Sequence, residues 1–244
     1  MMVRSFGELS KVKLSGNELK TIALSAMFIQ HLAIANVVTG YYNQLLAIGR
    51  LTLPIIIFLL VEGIYHTRNK LKYFLNLAIA MVISEIPYRL AFKIDLTQPP
   101  IFMNIFSALI LSFLFAMIVI LIQKYIKNAI VMLVVLIAFF ILANIFEIDY
   151  NIYPIVLVLI FVGLRENIFI RNIFLYFTFV LEFEHFLLGL VVILLLNLYD
   201  GKRSSRIEGG DKREAIFGEK VVKYGYYLFY PVHFLLIYVI KILM

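Results

Sequence analysis

The sequence predicts an all-α fold, a polytopic bundle of about nine transmembrane helices, on three observations. Of 244 residues, 63% are hydrophobic and only 15% charged, with a mean hydropathy of +0.98. That is more apolar surface than a soluble domain of this size can hide. Apolar runs of helix length recur along the chain, and a helix satisfies its own backbone hydrogen bonds inside a hydrocarbon core of roughly 30 Å. Basic residues, finally, recur at alternate loops, as they do where loops face the cytoplasm. The chain reads as one integral-membrane domain, 1–244, with a polar loop at 199–223 inside it.

In order, the expected crossings are 19–38, 46–65, 72–92, 102–123, 129–146, 152–164, 168–181, 185–198 and 224–242. The loops expected inside carry Arg68, Lys70 and Lys72, then Lys124 and Lys127, then Arg165 and Arg171. The last of them, 199–223, carries Lys202, Arg203, Arg206, Lys212, Arg213, Lys220 and Lys223, with Gly209-Gly210 marking a linker. The loops expected outside are uncharged (Thr39 to Gln44) or carry Lys93 with Asp95, Glu147 with Asp149, and Glu182 with Glu184. The seventh crossing is short and interrupted by Arg171, so a tilted, broken or interfacial segment stays open there, giving eight spans. Eight spans would put the basic 199–223 loop outside, so charge favours nine, with the N-terminus cytoplasmic and the C-terminus outside.

The first apolar run begins at Leu19 and is too long for the core of a cleavable leader, so it is expected to remain as an anchor. The net charge of +7 follows the loops, which points to topology and membrane lipids and not to nucleic acid. Absence of cysteine excludes disulfide and thiolate chemistry.

Polar residues inside the apolar runs need reasons, because each is costly in lipid. Lys20 and His31 are eleven residues apart, about 16 Å and nearly whole turns along one helix face, which puts His31 near mid-bilayer if Lys20 is at the edge. His233, ten residues beyond Lys223, reaches a similar depth in the last span, so two histidines could face one cavity or each serve packing. Glu85 and Arg89, at i,i+4 around Pro87, are expected to pair. Glu62 and His66 share that spacing; two ligands without a third make a weak metal site, so no metal is expected and a loop-orienting role is the alternative. Arg50 marks the outer interface or a pore mouth, Asn104 and Asn144 read as interhelical hydrogen-bond formers, and Tyr224, Tyr226, Tyr227 and Tyr230 as interface anchors.

Several of these positions fall in motifs. Leu19 and Lys20 through Met27 to Gln30-His31, then Gly49-Arg50 with Pro54, Phe58, Glu62-Gly63 and His66-Thr67-Arg68-Asn69, resemble the TraX family of pilin N-acetylation proteins. Ser84-Glu85-Ile86-Pro87 with Arg89, Tyr199 to Arg203, and the closing Tyr227 to His233 extend the resemblance over most of the chain. Where the family usually has an aspartate before the first histidine, this chain has Gln30. The family is similar in turn to the wider membrane-bound acyltransferase superfamily, whose first helix carries a basic residue, ten intervening residues and a histidine, the spacing of Lys20 and His31.

The resemblance implies an acetyl-CoA-dependent acyltransferase of a bacterial cytoplasmic membrane, with a peptide (pilin-like) or glycan acceptor offering an amine or a hydroxyl. A thioester is already activated, so the chemistry needs a base and close reactants. On that reading His31 is the general base and Lys20 draws the phosphorylated donor inward, while Arg68, Lys70, Lys202 and Arg203 are candidate contacts to the coenzyme phosphates. Gln30, Arg50, Glu62, His66, Glu85, Arg89, Tyr230 and His233 would line or shape the cavity. Intramembrane His, Glu and Arg also build transporter pathways, and a non-enzymatic scaffold of a secretion or conjugation assembly is the further alternative; no transporter-type internal repeat is visible.

Overall fold

Asparagine and serine set five of the helix starts. Their short side-chain oxygens accept from the otherwise unpaired first-turn N–H groups. A computed structural model describes residues 13–97, 104–204 and 212–244. Ser15 opens α1 (Gly16–Ile34) with a reciprocal capping box to Glu18, and Asn69, Asn104, Asn128 and Asn167 cap α4 (Lys70–Phe92), α5 (Ile105–Leu121), α6 (Ala129–Ile145) and α8 (Ile168–Phe183). Between them lie α2 (Tyr42–Gly49), α3 (Thr52–His66) and α7 (Tyr153–Gly163), followed by α9 (Phe186–Asn197) and α10 (Lys212–Leu243).

The helices form a membrane bundle. Tyr42–His66, Lys70–Phe92, Ile105–Ile126 and Val221–Leu243 are long and apolar enough to cross a membrane. The eleven-residue α7 rises only about 16 Å, short of the roughly 30 Å hydrocarbon core. It is buried nearly all round, packed against α3 and α5, so its continuous apolar run marks a core helix of the bundle, shielded from lipid by its neighbours. Fully buried Leu53, Ile55 and Ile57 of α3, Phe115 of α5 and Ile155 and Leu157 of α7 make the centre. Along α6 only Phe139 and Ala143 are buried, which leaves that helix on the rim.

Other boundaries shift for local reasons. The first helix ends at Ile34, not Val38, because Asn36 turns left-handed (φ 58) and the N–H groups of Asn36 and Val37 fold back onto the carbonyls of Ala33 and Leu32. His31 therefore lies in the last turn of α1. The second crossing starts at Tyr42 and is interrupted at Arg50-Leu51. α8 is continuous through Arg171, whose side chain joins the buried stripe Arg171-Leu175-Phe179-Phe183, four residues apart, and lies 5.8 Å from the Phe58 ring. The last helix begins at Lys212, so much of the expected 199–223 loop is helical, while Arg206 and Gly209-Gly210 lie outside the described residues.

Two polar ties hold the ends. At one end, strand-like pairing of Leu14 with Tyr199 continues into bonds from Gly16 and Asn17 N–H to the carbonyls of Lys202 and Arg203, which satisfy donors at the start of α1. At the other end, Arg89 Nε donates to Glu85 at 2.8 Å, both side chains being buried. Asn104 donates to the other Glu85 oxygen (3.1 Å) and Arg89 also reaches the Asp95 carbonyl (3.0 Å), so α4, the loop after it and the start of α5 meet on one ion pair. Asn104 is thus both a cap and an interhelical bond, whereas Asn144 bonds back to Phe140 of its own helix and accepts from Asn151 in the next loop. Asn144 differs from expectation because it sits exposed in the final turn of α6.

Removing one member of a buried pair strands the other charge. Glu85→Ala should therefore lower stability by about 3 kcal/mol or more, and Glu85→Gln, which can still accept from Arg89, by less. Thermal melts in detergent check the ranking.

Candidate functional site

The chain brings His31 of α1 and His233 of α10 into direct contact. His31 Nδ1 lies 2.8 Å from His233 Nε2, with the rings stacked at 11° and 5.1 Å between centroids. His233 Nδ1 lies 3.0 Å from the carbonyl of Phe229, which can only accept. For two neutral imidazoles this sets every proton: His233 carries Nδ1–H and accepts at Nε2, His31 carries Nδ1–H, and His31 Nε2 keeps a lone pair. His233 is 3% exposed and His31 is partly exposed. Phe92, Tyr230 and Phe234 surround His31 with aromatic edges.

Behind His31 runs a hollow. Lys20, Leu24 and Met27 occupy the same stripe of α1, and all three line an apolar cavity of about 90 Å³ that is closed at the far end by Tyr230. His31 is the next position on that stripe. At the other end Lys20, Leu59, Tyr73 and Tyr227 are shared with a polar cavity of about 430 Å³, a volume typical of ligand sites. Four cations, Lys20, Lys72, Arg203 and Lys223, line that mouth beside Glu62 and His66. The Lys20 ammonium sits 5.1 Å over the Tyr226 ring, and the Tyr226 hydroxyl donates to the Asn17 carbonyl (2.9 Å), locking α10 against α1.

Of the four cations expected around a phosphorylated ligand, Arg203 lines the mouth, while Arg68, Lys70 and Lys202 lie outside its wall. Lys72 and Lys223 take their place; in the sequence both looked like topology signals only. Among the tyrosines expected at the interface, Tyr224 is exposed, Tyr226 is tied to α1, Tyr227 lines both cavities and Tyr230 is buried. Helical phase explains the split, since Tyr227, Tyr230 and Phe234 share the face of α10 turned to the bundle.

Glu62 has a partner the sequence did not reveal. Arg165, from the turn between α7 and α8, donates from Nη2 to it at 3.3 Å, with Nη1 2.6 Å from the other oxygen as an ion pair, and stacks 3.9 Å over the Tyr65 ring, while His66 Nε2 is 3.3 Å from the same carboxylate. No group of three His, Asp or Glu side chains converges among the described residues. Arg165 instead cancels the carboxylate that faces the basic mouth. No local spacing could indicate this, because the pair is 103 residues apart.

On the side of His31 away from that mouth, Gln30 packs directly on Gly49, where any Cβ would collide with it, and its side chain faces the Tyr150 phenol. Arg50 lies 4.8 Å over the Phe183 ring, close to Glu182 and Tyr150. The loop from 146 to 152 is held in a tight shape with Glu147, Tyr150 and Asn151 all left-handed (φ 46, 61 and 49). It turns Asp149 toward the phenols of Tyr88, Tyr150 and Tyr230. Burial pushes the Asp149 carboxyl up from its ordinary 3.8 to about 6.

Folding thus favours protonated Asp149: its stabilising contribution is complete below pH 3.8 and is lost as pH rises through about 6. Asp149→Asn should raise the melting temperature at pH 8 and leave it unchanged at pH 3.5, read by melts at both pH values. Arg165→Gln should cost about 1–3 kcal/mol by stranding Glu62, and adding Glu62→Gln should recover most of the loss, which a double-mutant cycle measures.

The profile of the TraX protein family matches residues 15–241, which include every histidine, cavity residue and ion pair described above. A probable fimbrial assembly protein FimC (serogroup H1) of Dichelobacter nodosus is 28% identical over 251 residues, covering 93% of this chain and 95% of that protein. No solved structure matches. A match running from the cap of α1 almost to the end of α10 takes in the whole bundle, and the chain belongs to the TraX family.

Proposed function

We propose that the protein is an integral-membrane acetyltransferase, moving acetyl from cytoplasmic acetyl-CoA to an amine or hydroxyl of a peptide or glycan acceptor. The name of its Dichelobacter nodosus relative, a fimbrial assembly protein, favours a fimbrial-subunit peptide. The observation that carries the reading is the His31–His233 contact at 2.8 Å, at the end of a stripe whose other end, Lys20, lies in a cluster of four cations.

Each part fits one part of the donor. The basic mouth suits the phosphates, as charge-assisted bonds from Lys20, Lys72, Arg203 and Lys223 would hold them. The narrow apolar cavity suits the uncharged arm that carries the thioester toward Tyr230 and His31. This orientation turns the basic end to the cytoplasm, as the charged loops predict. His31 Nε2 takes the proton of the acceptor as its nitrogen or oxygen attacks the thioester carbon. The C–S bond then breaks, and the departing thiolate receives that proton from His31. His233 acts through His31: by accepting its Nδ1–H it holds the ring and the tautomer.

Purified protein incubated with radiolabelled acetyl-CoA and fimbrial-subunit peptide tests the reading. Labelled peptide is expected, with His31→Ala reducing the rate by about 10²-fold or more and His233→Ala by less. Full transfer by His31→Ala would remove the base assignment. Neither transfer nor coenzyme binding by the wild-type protein would leave a non-enzymatic scaffold as the better account.

A further inference from the structure

Tyr230 holds a hydrogen-bond donor that the fold does not use. Its ring is 3% exposed, wedged against Phe106 (5.1 Å between centroids), His233 (5.3 Å) and Phe234 (4.9 Å), with His31 at 6.5 Å. The phenol oxygen accepts from the N–H of Ile105 at 3.2 Å. Among the described residues no acceptor takes the phenol's own proton. A buried O–H left without an acceptor costs free energy, so its persistence asks for a reason.

The Ile105 amide supplies part of one. It is the first residue of α5, where N–H groups are unpaired within the helix and the helix dipole is positive. Donation from that amide draws electron density from the phenol oxygen and makes its proton a stronger donor. Tyr230 and Ile105 both line the apolar cavity, and the Tyr230 ring is also edge-on to His31, 6.5 Å between centroids. The donor is held rigidly from both sides: Pro231 follows it within α10, and Ile105 is fixed by the Asn104 cap.

We propose that Tyr230 is a catalytic residue that donates its phenolic proton in a hydrogen bond to the thioester carbonyl oxygen as that oxygen becomes an oxyanion; the assignment rests on the acyl-transfer reading above. When the acceptor attacks, a bond forms to the carbonyl carbon and the π pair moves to oxygen, where the Tyr230 O–H meets it. His31 Nε2 has taken the acceptor's proton. Collapse restores the carbonyl, breaks the C–S bond and returns that proton to the thiolate, and the Tyr230 proton never leaves its oxygen. A donor already oriented in a dry site acts on charge that exists only in the transition state.

Thiol release from acetyl-CoA by the detergent-purified full chain, with trialanine amide as acceptor, tests this, with fluoroacetyl-CoA as a second donor whose electron-poor carbonyl needs less help. Tyr230→Phe should lower kcat for acetyl-CoA about 10²-fold while KM and calorimetric CoA affinity stay near wild type. Its loss on fluoroacetyl-CoA should be clearly smaller. Unchanged kcat, equal loss on both donors, or loss of CoA affinity together with rate would assign Tyr230 to packing and overturn the proposal. Absence of thiol release by the wild-type protein would instead overturn the acyl-transfer reading itself.

Discussion

One hydrogen bond between two imidazoles, His31 of α1 and His233 of α10, joins residues 202 positions apart. Much of the surrounding structure serves it. Two neutral rings sharing a proton can be buried at modest cost, whereas two charged ones could not. The Phe229 carbonyl gives the pair its polarity, and Tyr230, Phe234 and Phe92 keep it in an aromatic enclosure. The last helix is positioned for the contact at three heights: Tyr226 on Asn17, His233 on His31, and Lys241 on the Ala91 carbonyl at the end of α4. A small rotation of α10 would break all three.

Two carboxylates within the bundle are neutralised by arginines. Glu85 and Arg89 neutralise each other where α4 meets α5, and Arg165 neutralises Glu62 where α3 meets the turn before α8. Such pairs add little net stability, but losing one partner is expensive, and so they specify which helices meet. Among the described residues, Lys20, Lys72, Arg203 and Lys223 form no such pair, and they line one hollow. Like charges gathered around a cavity repel one another, a cost that an anionic ligand would relieve.

Much of this was legible in the chain. Hydropathy gave the helical membrane class, and the i,i+4 spacing of Glu85 and Arg89 gave an ion pair, because both depend on geometry inside one helix. The eleven-residue interval from Lys20 to His31 likewise placed both on one stripe. Other features were misread because the same residue pattern serves different surroundings. A continuous apolar run reads alike for a lipid-facing span and for the short buried α7, and four tyrosines of α10 read alike until the helix is rotated against its neighbours. Arg165 and Lys72 looked like loop charges because the sequence carries no record of what a loop folds over.

The sequence by itself determined what is local and periodic: which segments are helices, where Asn and Ser begin them, and which side chains share a face. Those choices depend on backbone hydrogen bonds and helical pitch within a few residues. Only the tertiary structure decided that His31 meets His233, that Arg165 covers Glu62, and that Tyr230 stands with an unused donor beside a cavity and the histidines. Each of those contacts joins residues a hundred or more positions apart, and it is the packing of whole helices that brings them together.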